Sequence, residues 1–156
     1  MVKSMLEIYK ESGWLPKWEL NATETTTMVG DPAGIVIADT YHRGIRDFDV
    51  ALGLEAMKKS ASQIYNNPLR PELGTYLEKG YLGAELYESG SVSIVQEYNL
   101  ADFAIAALSK TLGDTKSHAL FLERSKSYRK LFDPSYNLLR PKNSEIRIIN
   151  ENTSKA

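Results

Sequence analysis

The sequence contains no cysteine, which excludes disulfide frameworks, thiolate metal sites and cysteine nucleophiles together. Only two histidines occur, His42 and His118, too few for a three-histidine zinc site. A surplus of positive charge is also missing. The 19 Lys+Arg stand against 20 Asp+Glu, a net charge of −1, whereas a surface that tracks nucleic-acid phosphates needs excess cations. Long apolar runs are absent too. Ala33–Ala38, interrupted by Gly34, and Phe103–Leu108 fall far short of the roughly 20 residues that span a bilayer. No apolar segment of the signal-peptide kind follows Lys3. Neither GxGxxG nor GxxxxGK[ST] occurs. Asp47-Phe48-Asp49 opens like a calcium-binding EF-hand loop, but Ala51 and Leu52 stand where a ligand and a glycine belong.

What is present reads as one domain of helices. The length of 156 residues fits a single domain, and 42% hydrophobic with 25% charged residues fits a globular one. Val2, Met5, Leu6 and Tyr9 fall at i, i+3, i+4, i+7, a helix ended by Gly13. Asp31-Pro32 opens a second helix through Val36, Ile37 and Thr40, with Asp31 as N-cap and Pro32 at the first helical position. Asp49 caps a third, whose stripe is Val50, Leu54, Met57, Ala61 and Ile64. Ser91 or Ser93 starts the longest helix, with Ile94, Tyr98, Ala101, Ile105, Leu108 and Leu112 in period. Asp114 caps the next, placing Phe121, Tyr128 and Leu131 on one face before Asp133-Pro134 stops it. Trp14–Met28 and the segment from Asn66 to about Gly90 read as long irregular stretches. No strand alternation is convincing. The class expected is all-α, an array of αα-hairpins.

Among residues able to carry chemistry, the carboxylates are the most informative. Glu97 shares the stripe Glu97, Ala101, Ala104, Leu108 with small apolar side chains. It is expected to be partly buried, as an acid or ligand-binding carboxylate or as a structural partner of Lys or Arg. The Trp14–Met28 loop combines two tryptophans with Lys17, Glu19 and Glu24. That composition suits a sugar platform, with an aromatic face beneath the ring and acceptors for hydroxyls, and equally a loop pinned by buried tryptophan. Asp31 is explained by capping alone. Asp39, one turn after Ile35 and Val36, carries the same ambiguity as Glu97. His42 and His118 read as structural or solvated, with His118 in an exposed turn. The Asn21-Ala22-Thr23 sequon matters only in a glycosylating pathway.

Several blocks together resemble glycoside hydrolase family 92. They are Gly13-Trp14-Leu15-Pro16-Lys17-Trp18-Glu19-Leu20, Glu24-Thr25, Met28-Val29-Gly30-Asp31 and Ile37-Ala38-Asp39-Thr40-Tyr41, then Gly44-Ile45-Arg46-Asp47-Phe48-Asp49, Glu97-Tyr98, Leu131-Phe132-Asp133-Pro134 and Arg140-Pro141. The likeness runs over about Val2–Lys142. It implies a calcium-dependent exo-α-mannosidase acting with inversion on mannose-containing glycans, α-1,2-linked above all, in an (α/α)6 toroid of helical hairpins. It also implies that Trp18, Glu19, Glu24 and Asp31 line or support the mannose pocket, with Glu97 near it. Export to the periplasm or beyond the cell follows from the same resemblance. Nucleic acid and membrane are not expected partners.

The family's acid block, E-G-N-x-W-Q-Y, and base block, G-N-[DE]-D-x-G, do not occur in these residues. Inverting hydrolysis uses two carboxyl groups about 6.5–9.5 Å apart, and Glu97 alone cannot fill both roles. No catalytic residue is therefore assigned, and calcium ligands are expected outside these residues. The expectation is a partial catalytic domain over 1–142 followed by a divergent polar tail over 143–156. On that expectation the chain is an internal fragment of a mannosidase, inactive alone and able to self-associate through exposed helix faces. The alternative is a non-catalytic helical-hairpin binding module.

Overall fold

The structure is a computed structural model, and the residues described are 1–21, 23–87 and 90–144. The expected tail lies outside them from position 145 onward.

Helix α1, Val2–Ser12, buries Val2, Leu6 and Tyr9 and ends where Gly13, at φ 79°, donates its N–H to the Tyr9 carbonyl. Helix α2, Pro32–His42, buries Ala33, Gly34, Ile37 and Ala38. Helix α3, Val50–Ser60, is capped as expected, with the Asp49 carboxylate accepting the Leu52 N–H at 3.0 Å. Helix α5, Ser91–Thr111, is apolar on most of its circumference and is the central element, packing against α2, α3 and α6. Helix α6, Thr115–Arg124, starts at Asp114, whose carboxylate accepts the Ser117 N–H and pairs with Lys58. Those bonds hold the Asp114 carboxyl well below the usual carboxylate range, the Ser117 contacts first and Lys58 after them.

Several elements differ from the expectation. Leu73–Lys79 is a seven-residue helix, α4, inside the stretch read as irregular. Two turns between Pro71 and Gly80 are too short to show a period. Tyr76, which falls within that stretch, is fully buried in the helix. Helix α6 stops at Arg124, and a 3₁₀ segment, Ser127–Leu131, follows. Phe121 and Leu131 are thus buried from different elements, while Tyr128 is exposed. Ile64 is exposed because α3 has already ended. Gly90, not a serine side chain, stands at the start of α5. Asp39 is exposed and pairs with Arg43 at 2.6 Å. His118 sits within α6, its Nδ1 3.0 Å from the Ala106 carbonyl of α5. Two minimal antiparallel pairs occur: β1 (Glu19–Leu20) with β2 (Thr23–Glu24), and β3 (Phe132–Asp133) with β4 (Leu138–Leu139). They leave the fold all-α.

Two apolar clusters make the core. One joins α1, α2, α3, α6 and the C-terminal half of α5 through residues such as Leu6, Ile37, Met57, Ile105 and Phe121. The other joins α4, the N-terminal half of α5 and the 3₁₀ segment through Leu73, Tyr76, Val95, Tyr98 and Leu131. On α5 the two meet between Tyr98 and Ala104, and that interval contains a charged residue, Asp102, with no exposed surface.

Candidate functional site

At this junction a chain of alternating charges runs through the interior: Asp31, Arg70, Asp102, Arg124. Arg70 is 0% exposed. Its Nη1 donates to Asp102 Oδ1 at 2.7 Å, its Nε to Asp31 Oδ2 at 3.2 Å, and its Nη2 lies 3.1 Å from the same oxygen. Asp102 takes the other guanidinium in bidentate fashion, from Arg124 Nε at 2.5 Å and Nη2 at 2.7 Å, and accepts the Tyr76 hydroxyl at 3.2 Å. Burial opposes the charge on Arg70, but Asp102 and Asp31 outweigh it and hold the guanidinium firmly protonated. Each ion is met by an opposite charge and by hydrogen bonds, the condition under which buried charge is tolerated.

Asp31 does more than begin a helix. Its side chain makes no capping bond. It points inward, 2% exposed, where Oδ2 receives the Ser60 hydroxyl at 2.5 Å as well as Arg70. Its other oxygen, Oδ1, is buried with no hydrogen-bond partner among the described residues, an uncommon condition for a buried acceptor. Beside it Gly30, at φ 90°, lies so close under Glu97 that a Cβ would come within 2.8 Å of Glu97 Oε2 and 3.0 Å of its Cβ. Glycine is needed there twice, for conformation and for space. Glu97 is half-buried. One residue further along α5, Tyr98 donates to Glu72 Oε2 at 2.6 Å and stacks over Arg70 at 4.9 Å. Burial first, then Glu72, pushes the Tyr98 phenol up.

The loop before α2 faces this group. Lys17 is held below its usual range by burial, against the pull of Asp31, Glu72 and Glu24, so its amine lies within the field of three carboxylates. Glu24 acts as a clasp for the loop. It accepts N–H groups from Lys17 at 2.6 Å, Trp18 at 3.0 Å and Thr26 at 2.7 Å. Burial would raise the Glu24 carboxyl, but those N–H bonds and Lys17 outweigh it and hold the group below its ordinary value. Trp18 is 51% exposed and Glu19 is exposed beside it on β1. Trp14 serves the fold instead, with Lys59 Nζ 4.7 Å above its ring and donating to the Gly13 carbonyl.

Glu97 is therefore brought against Gly30, the chain neighbour of Asp31, while Trp18 and Glu19 stand on the exposed hairpin and Glu24 faces the loop backbone. Arg70, Glu72 and Asp102 escaped the sequence reading. Arg70 lies between Pro68 and Pro71, where no period exists. Asp102 follows Tyr98 by four residues on a buried stripe, the same signal that singled out Glu97.

Carboxylate acceptors, one oxygen of which is unbonded among the described residues, and an exposed aromatic ring on the preceding loop are side-chain types that suit a polyhydroxyl ligand. Among the described residues no group of three or more His, Asp or Glu side chains could hold a metal ion. Calcium takes about six to eight oxygen ligands, so these residues by themselves do not fit one. No described helix is long and apolar enough to cross a membrane.

Comparison with known proteins identifies the family. The sequence matches the glycosyl hydrolase family 92 catalytic domain over residues 1–155. An uncharacterized secreted glycosidase of Arthroderma benhamiae is 32% identical over 139 residues, covering 82% of this chain and 18% of the relative. A family 92 α-mannosidase of Bacteroides thetaiotaomicron superposes on the whole chain with a TM-score of 0.85 at 33% identity. Its complex with mannoimidazole gives 0.84 over 96% of the chain at the same identity. A family 92 inverting mannosidase of the same species shares the fold, with a TM-score of 0.85 at 22% identity. The family match and the shared fold thus place the chain among the glycoside hydrolases. Within that class the chain belongs to family 92. It spans 19–21% of the solved chains it matches, about a fifth of their length.

Proposed function

We propose that these residues form one wall of the mannose pocket of an exo-acting α-mannosidase, part of an (α/α)6 toroid, with α-1,2-linked mannose as substrate. The observation that carries this is the divided carboxylate of Asp31: Oδ2 committed to Arg70 and Ser60, Oδ1 buried and unbonded. A sugar hydroxyl entering beside Glu97 would supply the missing donor, with Trp18 as a stacking face and Glu19 at the rim. Glu24 supports the pocket by fixing the loop. Inversion needs an acid and a base on opposite sides of the bond, and we assign both, with any calcium ligands, to segments beyond this chain. On this reading the chain alone binds but does not hydrolyse. The secreted relative supports an exported parent protein. Exposed Leu100 and Phe103 support self-association of the isolated chain through α5.

The test is an NMR titration of the chain with methyl α-D-mannoside, with mannose release from α-1,2-mannobiose measured in parallel with calcium present. Saturable shifts at Gly30, Asp31 and Glu97, lost in Asp31→Asn, are expected without turnover. Hydrolysis at the rate of a full-length family member, or binding unchanged by the substitution, would overturn the reading.

A further inference from the structure

The far end of the ionic chain opens on a cavity that the mannose reading does not use. It measures about 680 Å³, within the range of roughly 300–1,000 Å³ typical of small-molecule sites. The cavity lies between α4 and the α6–3₁₀ corner. Its charged lining is one-sided: Arg124, Lys126, Arg129 and Lys130 face a single carboxylate, Glu123. In a chain of net charge −1 this is a local reversal of sign, and a concave wall concentrates its field.

The cations are held in different ways. Arg124 is pinned by Asp102 through Nε and Nη2 and stacked 4.5 Å over Phe121, with no hydrogen bond from Nη1 among the described residues. Lys130 is tethered to the Lys79 carbonyl at 2.7 Å, a neutral partner that leaves its charge uncompensated. Lys126 pairs with Glu123 at 3.0 Å. Arg129 is exposed at the rim with no carboxylate partner among the described residues. Leu77 and Tyr76 of α4 and Leu120 of α6 supply the apolar part of the lining.

We propose that this cavity binds a small organic phosphate, its anionic head among Arg124, Arg129 and Lys130 and its apolar body against Leu77 and Leu120. A phosphomonoester carries close to two charges and three strong acceptor oxygens near neutral pH. That matches several cations facing one carboxylate better than a monovalent acid does, and the apolar wall favours an ester over free phosphate. The site is independent of the mannose reading and stands or falls without it.

The experiment is an amide NMR titration of the chain with phenyl phosphate, inorganic phosphate and phenol, repeated on Arg129→Gln/Lys130→Gln. Neither substituted side chain is buried, so the variant is expected to fold and melt as the parent does. Phenyl phosphate should give saturable shifts at Leu77, Leu120 and Arg129, inorganic phosphate should bind more weakly, and phenol should not bind. The double variant should lose affinity by about tenfold, and added salt should weaken binding of the parent. Glu123→Gln should tighten it. No saturable shift with phenyl phosphate into the millimolar range, equal binding of phenol, or a double variant that binds as the parent does would each overturn the proposal.

Discussion

The two parts of the candidate site are built on opposite principles. Most described residues between Trp18 and Val29 are exposed, and the path of that loop is fixed by one carboxylate, Glu24, on the backbone of Lys17, Trp18 and Thr26. The chain Asp31–Arg70–Asp102–Arg124 is interior, and its order is imposed by side chains drawn from four separate segments. A loop held locally can deform without unfolding the protein. A charge chain held by distant segments breaks only together with the junction of the two apolar clusters. On the proposed mannose reading, recognition is divided between a compliant aromatic rim and a rigid acidic floor.

Removal of the central anion should break the contrast most severely. Asp102→Ala leaves two guanidiniums facing each other in the interior. A loss of about 3–5 kcal/mol in urea unfolding is expected, and a change below about 1 kcal/mol would mean that the ionic chain does not hold the junction. Next in size is the hinge between the two parts. Gly30→Ala forces a side chain into a left-handed conformation against Glu97, with an expected loss of about 1–3 kcal/mol. Combining it with Glu97→Ala should recover part of that loss, read as a favourable coupling in a double-mutant cycle.

The loop should respond more mildly. Glu24→Gln is expected to lower stability by about 1 kcal/mol, near the lower end for a charged acceptor because part of the group faces water. The effect should depend on pH with a definite sign. The Glu24 carboxyl lies lower in the folded state than its ordinary value of 4.5. Its contribution is therefore complete above that value and disappears as pH falls through the folded one. Parent and Glu24→Gln melts should converge in acid, and a gap that widens there would contradict the clasp. The smallest stability effect belongs to Trp18→Ala, within about 0.5 kcal/mol for an exposed side chain, although mannoside binding should weaken clearly. A large drop in melting temperature with binding intact would reverse the roles assigned to rim and floor.

How much of this the sequence disclosed follows from the same division. Helices α1, α2, α3, α5 and α6 were legible because long stripes and short caps are local signals: Gly13, Pro32, Asp49 and Asp114 mark ends that the structure keeps. Helix α4 was not legible, because two turns carry no period. The proximity of Gly30 and Glu97 follows from the packing of α5 against α2, which no local pattern encodes. Arg70 was invisible for a related reason: its role is fixed by partners 39 and 32 residues away. Asp102 could have been found by asking why a charge interrupts the buried face of α5. Asp31 was read from its position as a cap, and only tertiary packing showed its side chain turned to Arg70 and Ser60.

The two oxygens of Asp31 have an implication for exchange at that position. An amide there has one lone-pair oxygen and one amino group, and Arg70 with Ser60 would dictate which faces inward. The oxygen must turn toward those donors, leaving the amino group in the buried place that Oδ1 occupies in the parent. An asparagine at this place would thus preserve the fold while reversing the polarity offered to a sugar, from taking a proton to giving one. The ligand could then be met only through its own lone pairs, so one nitrogen in place of one oxygen would select a differently presented partner.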